Sequence, residues 1–447
     1  MEASLARAEA PESAPDPTAA TEAATLEVPP ELVAQSLGEW FRAWTTRIRS
    51  GDSGVLPVIL GLILITIVFQ AISPHHVFLS ADNLVNLFQQ SAVFMVLAMA
   101  EIFALLLGEI DLSIGYAAGV GGAIAVQLVQ PTTTRWPWWG AIIAALLGCA
   151  LIGAIQGSLI TRLRLSSLIV TLAGLLILNG VMLFVLGLGP FSGYPSLAGA
   201  NPNLQFLYQL MWGTIDPTVS WVGMAVIVTA LACFLWLGDN RRRQSGLVAP
   251  PVSLTLLKIV LIAVVAIVVV AICNINRAAF GTLEGVPWVI PIVLVVFGVW
   301  TVLLQRTRFG RYVYAIGGNP EAARRAGVDL AAIRTWCFVF CSLTAGVGGL
   351  LYASYLGGMS NNVNGGQLVL YAVAAAVIAG TSLFGGRGKV LHGLLGGLVI
   401  GGIYNGMYLL GLDVKPQFIV TGLVLLVAIT IDALSRRGAT SGSAARV

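Results

Sequence analysis

The sequence predicts an all-α polytopic membrane protein with about 10–12 transmembrane helices, and three observations predict it. Of 447 residues, 57% are hydrophobic and 10% charged, with a mean hydropathy of +0.89, whereas soluble domains carry roughly 25% charged residues. Twelve apolar runs follow one another, each near the roughly 20 residues needed to cross hydrocarbon. Basic residues then collect in alternate gaps between the runs, as a fixed orientation in a membrane requires. The 51 glycines suit helices that pack closely in lipid.

The N-terminal stretch 1–39 holds eight acidic residues against one arginine. That composition cannot bury a core, so a disordered acidic cytoplasmic tail is expected; it lacks the basic start and apolar run of a signal peptide. Residues 40–54 set Trp40 and Trp44 beside Arg42, Arg47 and Arg49, which predicts an interfacial anchor. A transmembrane domain is expected over 55–433. Its apolar runs lie at 55–73, 84–107, 114–130, 138–161, 165–188, 217–238, 254–273, 287–305, 334–356, 367–384, 390–411 and 416–433. The third and tenth are short enough to be partly re-entrant. Starting inside, the basic gaps at 161–164, 241–243, 305–334 and 387–389 all reach the cytoplasmic face, and so does a cytoplasmic tail, 434–447, carrying Arg436 and Arg437. Both termini are therefore expected in the cytoplasm. LLGCALIGAIQGSL (146–159) also echoes LLGGLVIGGIYNGM (394–407). The two segments would run in opposite directions, which is either an inverted repeat or the chance likeness of Gly/Leu-rich helices.

One polar cassette, GGNPEAARRAGV (317–328), stands apart from the apolar runs, within the long cytoplasmic loop 305–334. Asn319 is a good N-cap, Pro320 fits the first helical position, and Glu321 sits where the helix dipole favours negative charge. Arg324 and Arg325 lie near the far end, and Gly327 can adopt the left-handed stop. A short helix clear of the bilayer could be gripped by another protein, or could be an ordinary positive-inside loop.

GEIDLSIG (108–115) places Glu109 and Asp111 after Gly108 and between two spans. It reads as a broken-helix turn shaping a passage, as a proton or sodium site, or as a solvated cytoplasmic turn. Glu101 lies deeper in its span, where a charge costs about 2.5–3.5 kcal/mol on insertion scales. Asn86, Gln89, Gln90, Gln156, Asn179, Tyr371, Asn405 and Tyr408 are further polar residues at helical depth. They could meet a polar solute in transit or tie helices together. The five cysteines and three histidines show no metal-ligand spacing, which favours core packing for the cysteines. No G-x-x-x-x-G-K-[ST] loop exists; GGRGKV (385–390) lacks its spacing and its Ser/Thr. Nucleotide hydrolysis by that machinery would have to come from a separate chain.

GEIDLSIG, FGRYVYAIGGNPEAARRAGV, AAAVIAGTSLFGGRGKVLHGLLGGLVIGGIYNGMYLLGL and VTGLVLLVAITIDALSRR together resemble the inner-membrane permeases of bacterial ABC importers for monosaccharides. That branch serves ribose, xylose, galactose and autoinducer-2. The likeness spans roughly residues 55–437, and the extra pair of spans at 217–273 is most similar to xylose-type permeases. The acidic tail has no counterpart.

The resemblance implies a vitamin B12 importer-type (type II) ABC permease fold and a non-enzymatic transport subunit. It would work as a homodimer, with a periplasmic sugar-binding protein and an ABC ATPase that uses ATP and Mg, and without a cofactor of its own. No nucleic-acid partner is implied; membrane lipid surrounds the chain. Asn319, Pro320, Glu321, Arg324, Arg325 and Gly327 would form the ATPase-coupling helix. Gly108, Glu109 and Asp111 would lie along the passage, with Gln89, Gln90, Asn179 and Asn405 as further candidates. An ion-coupled carrier using Glu101, Glu109 or Asp111 is the alternative from another class.

Overall fold

A computed structural model describes residues 36–49, 54–132, 134–187, 194–247, 249–278 and 280–412, with scattered positions between 415 and 430. The acidic tail to residue 35, residues 50–53 of the anchor, much of the last apolar run and the tail from 434 lie outside the described residues. The chain divides into two compact units, one combining residues up to Ser50 with Ile227–Val264, the other Gly51–Val226 with Val265–Val447.

In the first unit, helix α1 spans Leu37–Arg49. It starts three residues before the expected anchor, where local capping chemistry supplies a helix start. The Ser36 hydroxyl accepts the Glu39 N–H at 3.2 Å, and Glu39 places its charge in the first turn, where the dipole favours it. Trp40 stacks on Trp44 with centroids 6.2 Å apart, and Phe41 packs on the same ring. The adjoining ends of two apolar helices complete the unit. The Thr255 hydroxyl donates to Asp239 at 2.8 Å, and Arg243 donates to the Pro250 carbonyl and to Thr255.

The second unit carries most of the expected spans, and the helices of both units are numbered in chain order. They are α2 (Leu56–Ile72), α3 (Ala81–Leu106), α4 (Ile114–Leu128), α5 (Trp138–Arg162), α6 (Ser167–Leu186), α8 (Pro217–Gln244), α9 (Val252–Cys273), α10 (Val289–Arg306), α13 (Leu330–Leu356), α14 (Gly365–Ile378) and α15 (Val390–Leu409). Among the described residues, eight of these are long and apolar enough to cross a membrane, and α2, α4 and α14 are shorter apolar helices. Each of the first eleven expected runs therefore contains a helix, and the two runs flagged as short are the short helices α4 and α14. Three features of the connections were not expected. A helix α7 (Pro202–Trp212) follows α6, and two-residue strands β1 (Thr214–Ile215) and β2 (Val286–Pro287) pair antiparallel, with Thr214 opposite Pro287. A helix α11 (Arg308–Gly318) precedes the small capped helix, α12 (Pro320–Arg325).

The core is organised around α3, which is buried throughout its apolar window, and α13. Glycines set the spacing. On α5, Gly153 meets the backbone of Phe338 and Gly157 lies where a Cβ would come within 2.8 Å of the Thr335 Cα. On α15, Gly393 and Gly397 would bring a Cβ to 2.7 Å from the Met99 nitrogen and 2.5 Å from the Met95 Cα. Both contacts run antiparallel. Thus α5 packs on α13 as α15 packs on α3, with a short helix, α4 or α14, inside each triplet. This reciprocal arrangement is what an inverted repeat produces, and the two echoing sequence segments are its glycine-bearing helices. At about 1.5 Å per residue, each short helix by itself is shorter than the roughly 30 Å of a hydrocarbon core, and they start against each other. A Cβ on Gly115 would overlap the Gly365 carbonyl, and one on Gly365 would sit 2.5 Å from the Tyr116 ring.

Candidate functional site

The loop between α10 and α13 forms two helices at right sequence cues. Thr307 caps α11 by accepting the Gly310 N–H at 3.3 Å. The amphipathic α11 buries Gly310, Val313 and Ile316 while Arg308 and Arg311 stay exposed. Asn319 ends α11 and caps α12, its side-chain oxygen accepting the Ala322 N–H at 3.0 Å. Pro320 takes the first helical position, and only Ala323 of α12 is buried. At the far end Gly327 has φ +81°. There the Val328 N–H bonds the Ala323 carbonyl at 3.1 Å and the Gly327 N–H bonds the Arg324 carbonyl at 3.0 Å. These two bonds define a Schellman stop, so the helix is closed at both ends by its own sequence.

Glu321 lies between the two arginines, 2.9 Å from the Arg324 Nη2 and 3.2 Å from the Arg325 Nε. Hydrogen bonds from Arg324, then from Arg325, hold its carboxyl below the ordinary carboxylate range. All three side chains are exposed. They pair with one another here, leaving further N–H groups of the guanidiniums free to donate outward.

The end of α11 is pressed into the body of the unit. A Cβ on Gly317 would overlap the Leu106 carbonyl oxygen and lie 2.5 Å from the Gly386 nitrogen. Gly386 itself donates to the Leu106 carbonyl at 2.9 Å, and the Tyr314 hydroxyl donates to the Gly388 carbonyl at 2.7 Å. Gly108, at φ +77°, adjoins the same turn: a Cβ there would lie 3.1 Å from the Phe384 carbonyl oxygen. The capped helix therefore starts three residues after a three-way backbone contact with the end of α3.

Beyond that contact the acidic residues form a ladder rather than a solvated turn. Glu109 pairs with Arg334 on the first turns of α13 at 3.3 Å. Glu101 and Asp111 are fully buried, and a Glu101 oxygen accepts the Asp111 N–H at 3.0 Å. One Asp111 oxygen accepts the Ser113 N–H and hydroxyl at 2.9 and 2.6 Å, and the other accepts from the Cys341 thiol at 3.6 Å. Gln156 on α5 donates to the Ser113 hydroxyl at 2.8 Å. The ladder joins α3, α4, α5 and α13. Among the described residues no group of three or more His, Cys, Asp or Glu is placed to hold a metal.

The amides make a second tie. Asn405 on α15 donates to Gln90 at 3.2 Å and accepts from Asn83 at 2.9 Å, and Gln90 donates to Asn86 at 3.1 Å. Gln89 instead reaches the Met211 carbonyl at 2.8 Å.

Residues 83–429 match the sequence profile of permease components of branched-chain amino acid transport systems. The chain belongs to this permease family. The permease is 30% identical to the xylose transport system permease protein of Escherichia coli (strain K12) over 85% of its own length and 92% of the relative's. It is 31% identical to the protein of that description from Haemophilus influenzae, over 86% and 97% of the two chains. The ribose import permease protein of E. coli (strain K12) is 27% identical over 84% and 92%. No solved structure matches the permease. It is a multi-pass membrane protein, as its apolar helices and relatives agree.

Of the residues singled out in the sequence, the structure joins Gly108 to the α11–α12 segment through shared backbone contacts, and Glu109 and Asp111 to α13. It brings Gln90 to Asn405. Asn179 lies half-buried on α6, which packs on α4 and α5. Sequence reasoning missed α11, whose residues 308, 311 and 312 against 310, 313 and 316 give a helical stripe that was readable. It also missed Ser113 and Cys341 as partners of Asp111. Nothing in a single sequence pairs positions 230 residues apart.

Proposed function

We propose that the permease is the transport subunit of an ATP-driven importer that carries a monosaccharide, D-xylose foremost, across the bacterial inner membrane with both termini cytoplasmic. The observation that carries this reading is the self-capped α12, which starts three residues after the Gly317 contact with the end of α3. A docked ATPase that moves α12 would move α11, the 384–388 turn and the Gly108–Asp111 segment with it, because backbone contacts at this spacing leave no slack. Glu321, Arg324 and Arg325 would contact that ATPase, which would bind ATP and Mg. A periplasmic sugar-binding protein would deliver the cargo, and two copies of the permease would enclose the passage.

Xylose is favoured over ribose by the relatives, xylose permeases at 30–31% identity against a ribose permease at 27%, and by the α8–α9 pair, which resembles xylose-type permeases. The test is uptake into proteoliposomes holding the permease with its genetic neighbours, an ATPase and a secreted binding protein. ATP-dependent uptake of D-xylose is expected, with Arg325→Glu reducing it while the protein still inserts. Uptake by the permease alone under a proton or sodium gradient would refute the proposal and establish an ion-coupled carrier.

A further inference from the structure

Five tyrosines from three helices converge at one end of the second unit. Tyr352 and Tyr355 lie near the end of α13, Tyr371 in the first half of α14, and Tyr404 and Tyr408 near the end of α15. Tyr404 is within electrostatic reach of the other four phenols. Gln90, held by Asn405 and Asn86, lies beside Tyr355. The place is opposite the α12 segment: Tyr355 is 25 residues along α13 from Leu330, about 37 Å at the helical rise.

The rings are supported while several hydroxyls are not. Phe94 meets Tyr371 and Tyr404 edge-on at 5.3 and 6.0 Å, and Trp212 stacks on Tyr355 at 5.7 Å. Gln367 donates to the Tyr371 hydroxyl at 2.7 Å. Among the described residues, the hydroxyls of Tyr352, Tyr404 and Tyr408 have no hydrogen-bond partner. Tyr371 is buried, Tyr352, Tyr355 and Tyr404 are half-buried, and Tyr408 is 64% exposed, so the cluster grades from packed rings to an open face. Tyrosines of an interfacial belt sit at the headgroup level; here Tyr371 and Tyr404 share the Phe94 ring, and Tyr355 lies beside the buried Gln90 amide.

We propose that Tyr352, Tyr355, Tyr404 and Tyr408, with Gln90, form a contact site for a neutral monosaccharide at the end of the permease opposite the ATPase-coupling segment. This inference rests on the sugar-importer reading above. Its chemistry is that of a polyol: phenols donate and accept, the amide donates, aromatic faces take the C–H side of a pyranose, and none of the five named side chains carries a charge to favour an acid or an amine. Weak neutral contacts also suit a passage, where a solute must leave as readily as it enters.

The test uses the permease reconstituted with its ATPase and binding protein, reading ATP hydrolysis stimulated by the loaded binding protein and uptake of labelled D-xylose and D-ribose. Tyr355→Phe and Tyr404→Phe keep the rings and their packing. Each is expected to lower uptake about three- to tenfold, as one neutral hydrogen bond allows, and the pair is expected to lower it further and to change the xylose-to-ribose ratio. Stimulated ATP hydrolysis should persist. Unchanged uptake and ratio in the double variant would overturn the site. Loss of stimulated hydrolysis in step with uptake would also overturn it, because the tyrosines would then serve assembly. Absence of ATP-driven uptake of either sugar by the unaltered permease would instead refute the sugar-importer reading on which the site depends.

Discussion

Gly317→Ala is the perturbation whose outcome follows most directly from the packing. The added methyl would overlap the Leu106 carbonyl oxygen and stand 2.5 Å from the Gly386 nitrogen. Both obstacles are backbone, so no side chain can rotate away, and α11 must back off from the end of α3. Overpacking of this kind costs about 1–3 kcal/mol, while alanine returns at most about 1 kcal/mol of helix propensity. The neighbouring Gly318 supplies the control, because a Cβ there meets nothing within 4 Å. Gly318→Ala carries a similar propensity gain with no collision. Thermal unfolding of the two variants in detergent should therefore rank Gly318→Ala at or above the unaltered permease and Gly317→Ala below it. In the reconstituted importer, Gly317→Ala should lower transport per ATP hydrolysed more than Gly318→Ala does. Equal stability and equal coupling in the two variants would refute the claim that α12 is tied to α3 through this contact.

Asn319→Ala removes the bond to the Ala322 N–H and should destabilise α12 by about 1 kcal/mol, visible as faster amide exchange at Ala322 and Ala323 with the rest of the permease unchanged. Glu321 offers a pH test. A carboxyl depressed by Arg324 and Arg325 stabilises the folded state above its unfolded value and loses that contribution as pH falls through the folded one. Protection of the α12 amides relative to an unfolded chain should therefore hold constant between about pH 6 and 8 and fall only below the ordinary carboxylate range, and Glu321→Gln should abolish the acid step. A change in protection centred near neutrality would contradict the pairing. Asn405→Leu strands the amides of Asn83 and Gln90 and should cost about 1–3 kcal/mol; the triple variant with Asn83→Leu and Gln90→Leu should recover part of that loss in the same unfolding measurement.

Much of the local structure was legible in the sequence because local chemistry sets it. The limits of α12 follow from Asn319, Pro320 and Gly327, each acting within four residues. The apolar runs of hydrocarbon length mark the spans, and the glycine spacing of α5 and α15 shows through as the echo between their sequences. The small helix α1 crossed its expected boundary because a serine cap and one glutamate outweighed the composition of the tail.

What the sequence by itself determined is the membrane class, the order of the spans, and a self-terminating polar helix on the basic side. Their causes are hydrocarbon solvation and short-range capping. Only the tertiary structure decided that Asp111 is buried among Glu101, Ser113 and Cys341, that Gly317 touches Leu106, and that Tyr355 comes to lie beside Gln90. Those pairings join positions far apart in the chain. They exist because close glycine packing brings α5 onto α13 and α15 onto α3, and a single chain's residue spacing carries no record of which helices will meet.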